Sequence, residues 1–149
     1  MDLGRLDRMP TVKVAMTPFP WSIDIDAPLS SARAMMAERE IHHLPVTEHG
    51  ALVGVISGRE VALGTAIAQA RDAGRDPLVR EACVLQAYAV EDTEPLDGVL
   101  AIMARDRLGS ALVTRRGKLV GVFTVTDACR LLADWLRSSF PAAGGDEVA

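Results

Sequence analysis

Three short stretches carry side chains whose types and spacing could do chemistry. Thr124-Val125-Thr126-Asp127 places two hydroxyls and a carboxylate within one turn of a prospective helix start. Such a set can bond to a bound group, hydroxyls donating and carboxylate accepting, and it serves equally well as an ordinary helix N-cap. Ser57-Gly58-Arg59-Glu60 is its counterpart in the first half, with a longer acid and a guanidinium able to meet an anion. His42-His43 is the third stretch. Adjacent histidines rarely converge on one metal, and no Asp, Glu or Cys cluster completes a shell, so no metal site is expected. The pair reads as a loop with one ring exposed and one hydrogen-bonded, or as a contact to an anionic group. Cys83 and Cys129 sit in no C-x-x-C spacing and are expected as small apolar side chains of a core. No nucleophile–base pair, G-x-S-x-G or P-loop can be assigned, so no enzymatic activity is expected.

The elements that must position these residues occur twice. Val12 to Val61 aligns without a gap on Val79 to Ala128, pairing Pro28 with Pro95, Leu29 with Leu96, Met36 with Met103 and Val46-Thr47 with Val113-Thr114. The longest match sets Gly50-x-Leu52-Val53-Gly54-Val55 on Gly117-x-Leu119-Val120-Gly121-Val122. Asp26-Ala27-Pro28-Leu29 and Thr93-Glu94-Pro95-Leu96 predict helix starts, a capping residue followed by Pro in the first turn. Leu29, Ala32, Met35 and Met36, and likewise Leu96, Val99, Leu100 and Met103, fall on one helix face. Two β runs then flank a short Gly-containing turn, Leu44–Thr47 with Leu52–Ser57 and Ala111–Thr114 with Leu119–Thr124, which predicts a hairpin in each copy. A closing helix follows, from near Gly58 in one copy and over about Thr126 to Arg137 in the other. Each unit reads β-α-β-β-α, an α+β chain whose two repeats pack sheet to sheet in one pseudo-symmetric module. The expected divisions are residues 12–73, a linker at 74–78, residues 79–137 and a flexible tail at 138–149.

Hydrophobic residues at 49% and charged residues at 24% give a globular balance, with aromatics at only 4%. A net charge of −4 gives no general attraction for nucleic acid or an acidic membrane surface, and a nucleic-acid partner is not expected. The first residues lack a signal peptide's apolar stretch, and no run approaches the ~20 apolar residues of a membrane span. A cytoplasmic protein with no membrane association is the expectation. Arg115, Arg116 and Lys118 in the second hairpin turn, and His49 in the first, read as solvated turn residues.

Over roughly Lys13 to Leu136 the pattern resembles the tandem CBS (cystathionine-β-synthase) domain pair, a Bateman-type module. The carriers are Val14-Ala15-Met16-Thr17-Pro18, Ile41-His42-His43-Leu44-Pro45-Val46 and Gly54-Val55-Ile56-Ser57-x-x-Glu60. In the second copy they are Leu108-Gly109-Ser110-Ala111-Leu112-Val113 and Gly121-Val122-Phe123-Thr124-x-x-Asp127. The resemblance implies clefts that bind AMP, ADP, ATP or S-adenosylmethionine as a regulatory ligand, with no cofactor required. It implies that Thr124, Thr126 and Asp127 hold the ribose and first phosphate, facing His42, His43 and the Ile23 to Ala27 segment. Ser57, Arg59 and Glu60 would face Gly109, Ser110, Ala111 and the Tyr88 to Val90 segment. Glu60 is one methylene longer than Asp, so the Asp127 cleft is the favoured one.

The expected function is a stand-alone regulatory module that binds an adenosine-containing ligand between the repeats and signals to a partner protein in trans. Homodimerisation is expected on the same resemblance, through Val61, Leu63 and Ile67 or Leu131, Leu132, Trp135 and Leu136, unless these close the core; Trp135 is the expected exposed aromatic. The alternative is a nucleotide-independent interaction and dimerisation module with vestigial clefts, which Glu60 and the apolar Ala111-Leu112 favour for at least one cleft.

Overall fold

The computed structural model describes residues 6–18 and 20–142. In the first copy, β2 (Ile23–Asp24), α1 (Leu29–Arg39), β3 (His43–Glu48), β4 (Ala51–Ser57) and α2 (Gly58–Arg71) follow the expected order. In the second copy they are β6 (Ala89–Glu91), α3 (Leu96–Asp106), β7 (Ser110–Arg115), β8 (Lys118–Thr124) and α4 (Val125–Ser139). Both hairpins form, turning through left-handed His49-Gly50 and Arg116-Gly117, where glycine relieves the strain of positive φ. Helix α4 runs two residues past its expected end. Of the expected tail, 143–149 lies outside the described residues.

Each copy also opens with a short 3-10 turn, Val12–Val14 or Val79–Glu81, and a two-residue strand, β1 (Thr17–Pro18) or β5 (Val84–Leu85). These opening segments are exchanged. The first sheet runs β2-β3-β4-β5 and the second β1-β8-β7-β6, so each borrows its outer antiparallel strand from the other copy. The cores follow suit. Val79 is buried with Leu29, Leu44 and Ile56 of the first copy, and Val12 with Met103, Val113 and Phe123 of the second. A fully buried side chain of this kind contributes about 1.5–3 kcal/mol, so each copy draws part of its stability from the other's opening residues.

The exchange also corrects the expected helix caps. Asp26 and Thr93 do not cap; Pro28 and Pro95 occupy the N-cap positions in extended conformation without a side-chain bond. The first-turn donors left without a side-chain cap instead find the segment before the opposite copy. Leu29 N–H donates to the Pro77 carbonyl (2.7 Å), Ser30 N–H to the Asp76 carboxylate (3.1 Å), and Leu96 N–H to the Pro10 carbonyl (2.8 Å). Residues expected as a linker are thus a helix cap.

Two further expectations are corrected and one is extended. Cys129 is exposed on the outer side of α4, whereas Cys83 packs against the first core as expected. Arg115 is exposed as expected but not free, since its Nε donates to the buried Asp92 carboxylate (2.7 Å), which would otherwise be an unpaired charge. Trp135 is half-buried, edge-on to Phe140 at 6.4 Å between centroids. Among the described residues, no helix is long and apolar enough to cross a membrane.

Candidate functional site

The two hairpins bring the ends of β4 and β8 beside the loops before β3 and β7, and a cleft opens on each side. The first cleft, about 400 Å³, gathers Thr124, Thr126 and Asp127 with His42 and His43, as expected. It also contains Thr17, Pro18, Pro20 and Trp21, together with Arg39, Glu40 and Arg130. Ile23 and Ala27 are not in it. Ile23 is buried in the first core and Ala27 packs against that core, because β2 pairs with β3 and turns its apolar side inward. The exchanged strand β1 takes the expected place.

The second cleft, about 820 Å³, brings Ser57, Arg59 and Glu60 to Gly109, Ser110 and Tyr88, with Arg107 and Val84 alongside. Ala111 is absent from it. It is fully buried in the second core, within a strand whose other inner residues are equally shielded.

Asp127 serves as cap and leaves capacity over. Its Oδ2 accepts from the Thr124 N–H (2.9 Å) and the Thr124 hydroxyl (2.9 Å), and Asp127 N–H donates back to Thr124 Oγ1 (3.2 Å). This is a reciprocal capping box, and it commits the Thr124 hydroxyl proton to Asp127. Asp127 Oδ1 keeps one long contact, from Arg130 Nη1 at 3.5 Å. One carboxylate oxygen and the exposed Thr126 hydroxyl therefore remain for a guest, beside the N–H groups and favourable dipole of the α4 N-terminus. In the second cleft the Glu60 carboxylate accepts from the Ser57 N–H, so the longer acid also bends back to cap its helix.

Sequence reasoning missed the aromatic and cationic side of the first cleft. The Arg39 guanidinium lies over the Trp21 ring, 3.9 Å from its centroid, and holds that half-exposed indole at the cleft edge. Glu40 and Arg107 end α1 and α3 at left-handed φ of 53° and 55°, a conformation that costs a non-glycine residue roughly 1 kcal/mol. Glu40 lines the first cleft and Arg107 the second. The recurrence of that charged helix end in both copies was the available signal.

His43 is half-buried, and burial pushes its imidazole below the ordinary value of 6.5 against the opposing pull of the Glu60 and Asp127 carboxylates; neighbouring His42 lowers it further. The unfolded chain therefore takes up a proton near pH 6.5 that the folded protein refuses until lower pH. Stability is greatest above that value and falls as pH drops through the depressed folded-state pKa. Melting temperatures taken from about pH 7.5 to 5.5 are expected to fall, and to fall less steeply in His43→Gln. Equal slopes would contradict the assignment.

The CBS domain family model matches residues 12–63 and 79–134, which together exceed half of the chain. The CBS domain-containing protein YhcV of Bacillus subtilis is 27% identical over 119 residues, covering 80% of this chain and 83% of that protein. Other curated relatives are longer, and the chain spans 46%, 23% and 26% of three of them. Among solved structures, CBSX2 in complex with AMP superposes with a TM-score of 0.70 at 20% identity, over 83% of this chain and 96% of that one. The CBS domain pair of protein MJ0100, in complex with 5′-methylthioadenosine and S-adenosyl-L-methionine, gives 0.72 at 24% identity, over 85% and 98%. At these identities the likeness shows the fold.

Proposed function

The chain belongs to the CBS domain family, and from that premise we propose that it is a regulatory module holding an adenosine-containing ligand in the cleft at Asp127. The observation that carries this reading is the half-used Asp127 carboxylate. Oδ2 caps the helix, while Oδ1 keeps only the long Arg130 contact and is left to accept from ribose hydroxyls in the cleft that Asp127 and Thr126 line. His42, Arg39 and Arg130 line the same cavity and suit a phosphate, and Trp21 offers an apolar face to a base. The AMP and S-adenosyl-L-methionine held by the structural neighbours support this ligand class.

The module acts by differential affinity. A ligand that binds one arrangement of the repeats more tightly than another shifts the population, and a partner protein in trans reads the result. The reading includes no catalytic step and a cytoplasmic setting. It also includes a homodimer, supported by apolar side chains left exposed on the closing helices, Leu63 and Ile67 on α2 and Leu132 and Leu136 on α4. Val61 and Leu131 belong to the intramolecular packing instead. Sedimentation is expected to give a dimer that Leu132→Glu shifts towards monomer; an unchanged mass would contradict that interface.

Calorimetric titration with AMP, ADP, ATP and S-adenosylmethionine tests the ligand claim. Saturable binding of at least one is expected. A folded protein that binds none of them leaves a nucleotide-independent interaction module as the reading.

A further inference from the structure

We infer that His42 and His43 couple the two clefts, so that an adenine nucleotide bound in one weakens the binding of a second in the other. The inference rests on the reading that the Asp127 cleft takes an adenosine-containing ligand. Among the described residues lining the two cavities, His42 and His43 are the only pair common to both. The repeat does not reproduce them. Their counterparts are Gly109 and Ser110, which line the second cleft alone. One dipeptide thus forms a wall that two clefts share.

The wall has little room to serve both at once. A Cβ placed on Gly109 would lie 3.0 Å from His43 Nε2, so the ring is already seated against that backbone. A neutral imidazole carries one N–H, which can donate to one phosphate at a time. Burial disfavours the imidazolium form that would supply two donors. The charged groups that act on the ring arrive from both sides, Glu60 from α2 and Asp127 from α4, with His42 beside it on the chain. A phosphate on one side therefore takes the His43 donor, and a second anion on the other side meets the charge of the first across the same two-residue wall.

AMP titrations of four proteins separate coupling from simple inequality of the clefts. Ala62 lines only the second cleft and Thr126 only the first, and both side chains are exposed. Ala62→Trp and Thr126→Trp therefore each close one cleft and report the other alone. In the wild type, the weaker step is expected to be about tenfold weaker than the same cleft measured alone. In His43→Gln each step should return to within about twofold of its single-cleft value. Wild-type steps that equal the single-cleft affinities overturn the inference, as does a cleft that binds nothing when its neighbour is closed. Binding of ADP, ATP or S-adenosylmethionine but not AMP overturns it while leaving the proposed function standing. Binding of none of AMP, ADP, ATP and S-adenosylmethionine removes that function and the coupling together.

Discussion

Gly54→Ala is expected to destabilise the protein by about 3 kcal/mol, the upper end of ordinary overpacking, and so to lower its melting temperature by roughly 6–12 °C. Gly54 lies opposite the exchanged strand β5, where a new Cβ would stand 2.2 Å from the Val84 carbonyl oxygen and 3.1 Å from its carbon. Those atoms are backbone, held by pairing with β4, and cannot swing aside. The counterpart in the other copy, Gly121, meets chiefly the Met16 side chain, with the Thr17 carbonyl oxygen 3.0 Å away. Methionine has three rotatable bonds and adapts, so Gly121→Ala should cost about 1 kcal/mol. Circular dichroism melts of the two variants would check the difference. Equal and small shifts would show that β5 is not held against β4 in solution.

Asp127→Ala is expected to lower ligand affinity by about a hundredfold, because a hydrogen bond to a charged group contributes about 1.5–3 kcal/mol. The same change removes the carboxylate that accepts from Thr124 N–H and Oγ1–H, at about 1 kcal/mol of stability. The two effects are separable. Asp127→Asn keeps an oxygen able to accept from Thr124 N–H and a side chain of the same shape, so it should recover stability more fully than affinity. Glu60→Ala removes the equivalent contact to Ser57 N–H in the other copy and should leave the Asp127 cleft within about twofold. Paired calorimetry and thermal unfolding of these variants read both quantities. An Asp127→Ala protein that binds as tightly as the wild type would reduce this carboxylate to a helix cap.

Much of the fold was legible because its signals are local. The helix faces built on Leu29 and Leu96, and the hairpins turning at Gly50 and Gly117, follow from side-chain period and turn chemistry within a few residues. The exchange of opening segments was not legible. Val12 and Val79 occupy the same place in the repeat, and a two-residue strand says nothing about which sheet will have an open edge for it. That one displacement explains the error at the first cleft. Thr17, Pro18, Pro20 and Trp21 stand where Ile23 and Ala27 were expected, although the alternation of Ile23 and Ile25 already marked an inward-facing strand. Ala111 was misplaced for a similar reason, since Ala111, Leu112 and Val113 form an uninterrupted apolar run that fits a buried strand better than a cleft wall. On α4 the sequence carries two apolar stripes, Ala128 and Leu131 turned inward and Val125, Cys129, Leu132 and Leu136 turned outward. Periodicity alone could not rank them.

The chemistry of the Asp127 stretch was legible only as an alternative, cap or ligand contact; the geometry shows the cap and leaves one oxygen for the proposed ligand. Oδ2 caps, while Oδ1 keeps one long contact, and the cleft that Asp127 lines also holds His42, Trp21 and Arg39. A crystal structure of the protein grown with AMP tests that division most directly. A nucleoside is expected in the cleft between Asp127 and His42, its ribose hydroxyls within hydrogen-bonding distance of Asp127 Oδ1 while Oδ2 keeps its bonds to Thr124. AMP bound elsewhere with this cleft empty, or bound here without touching Asp127, would contradict it.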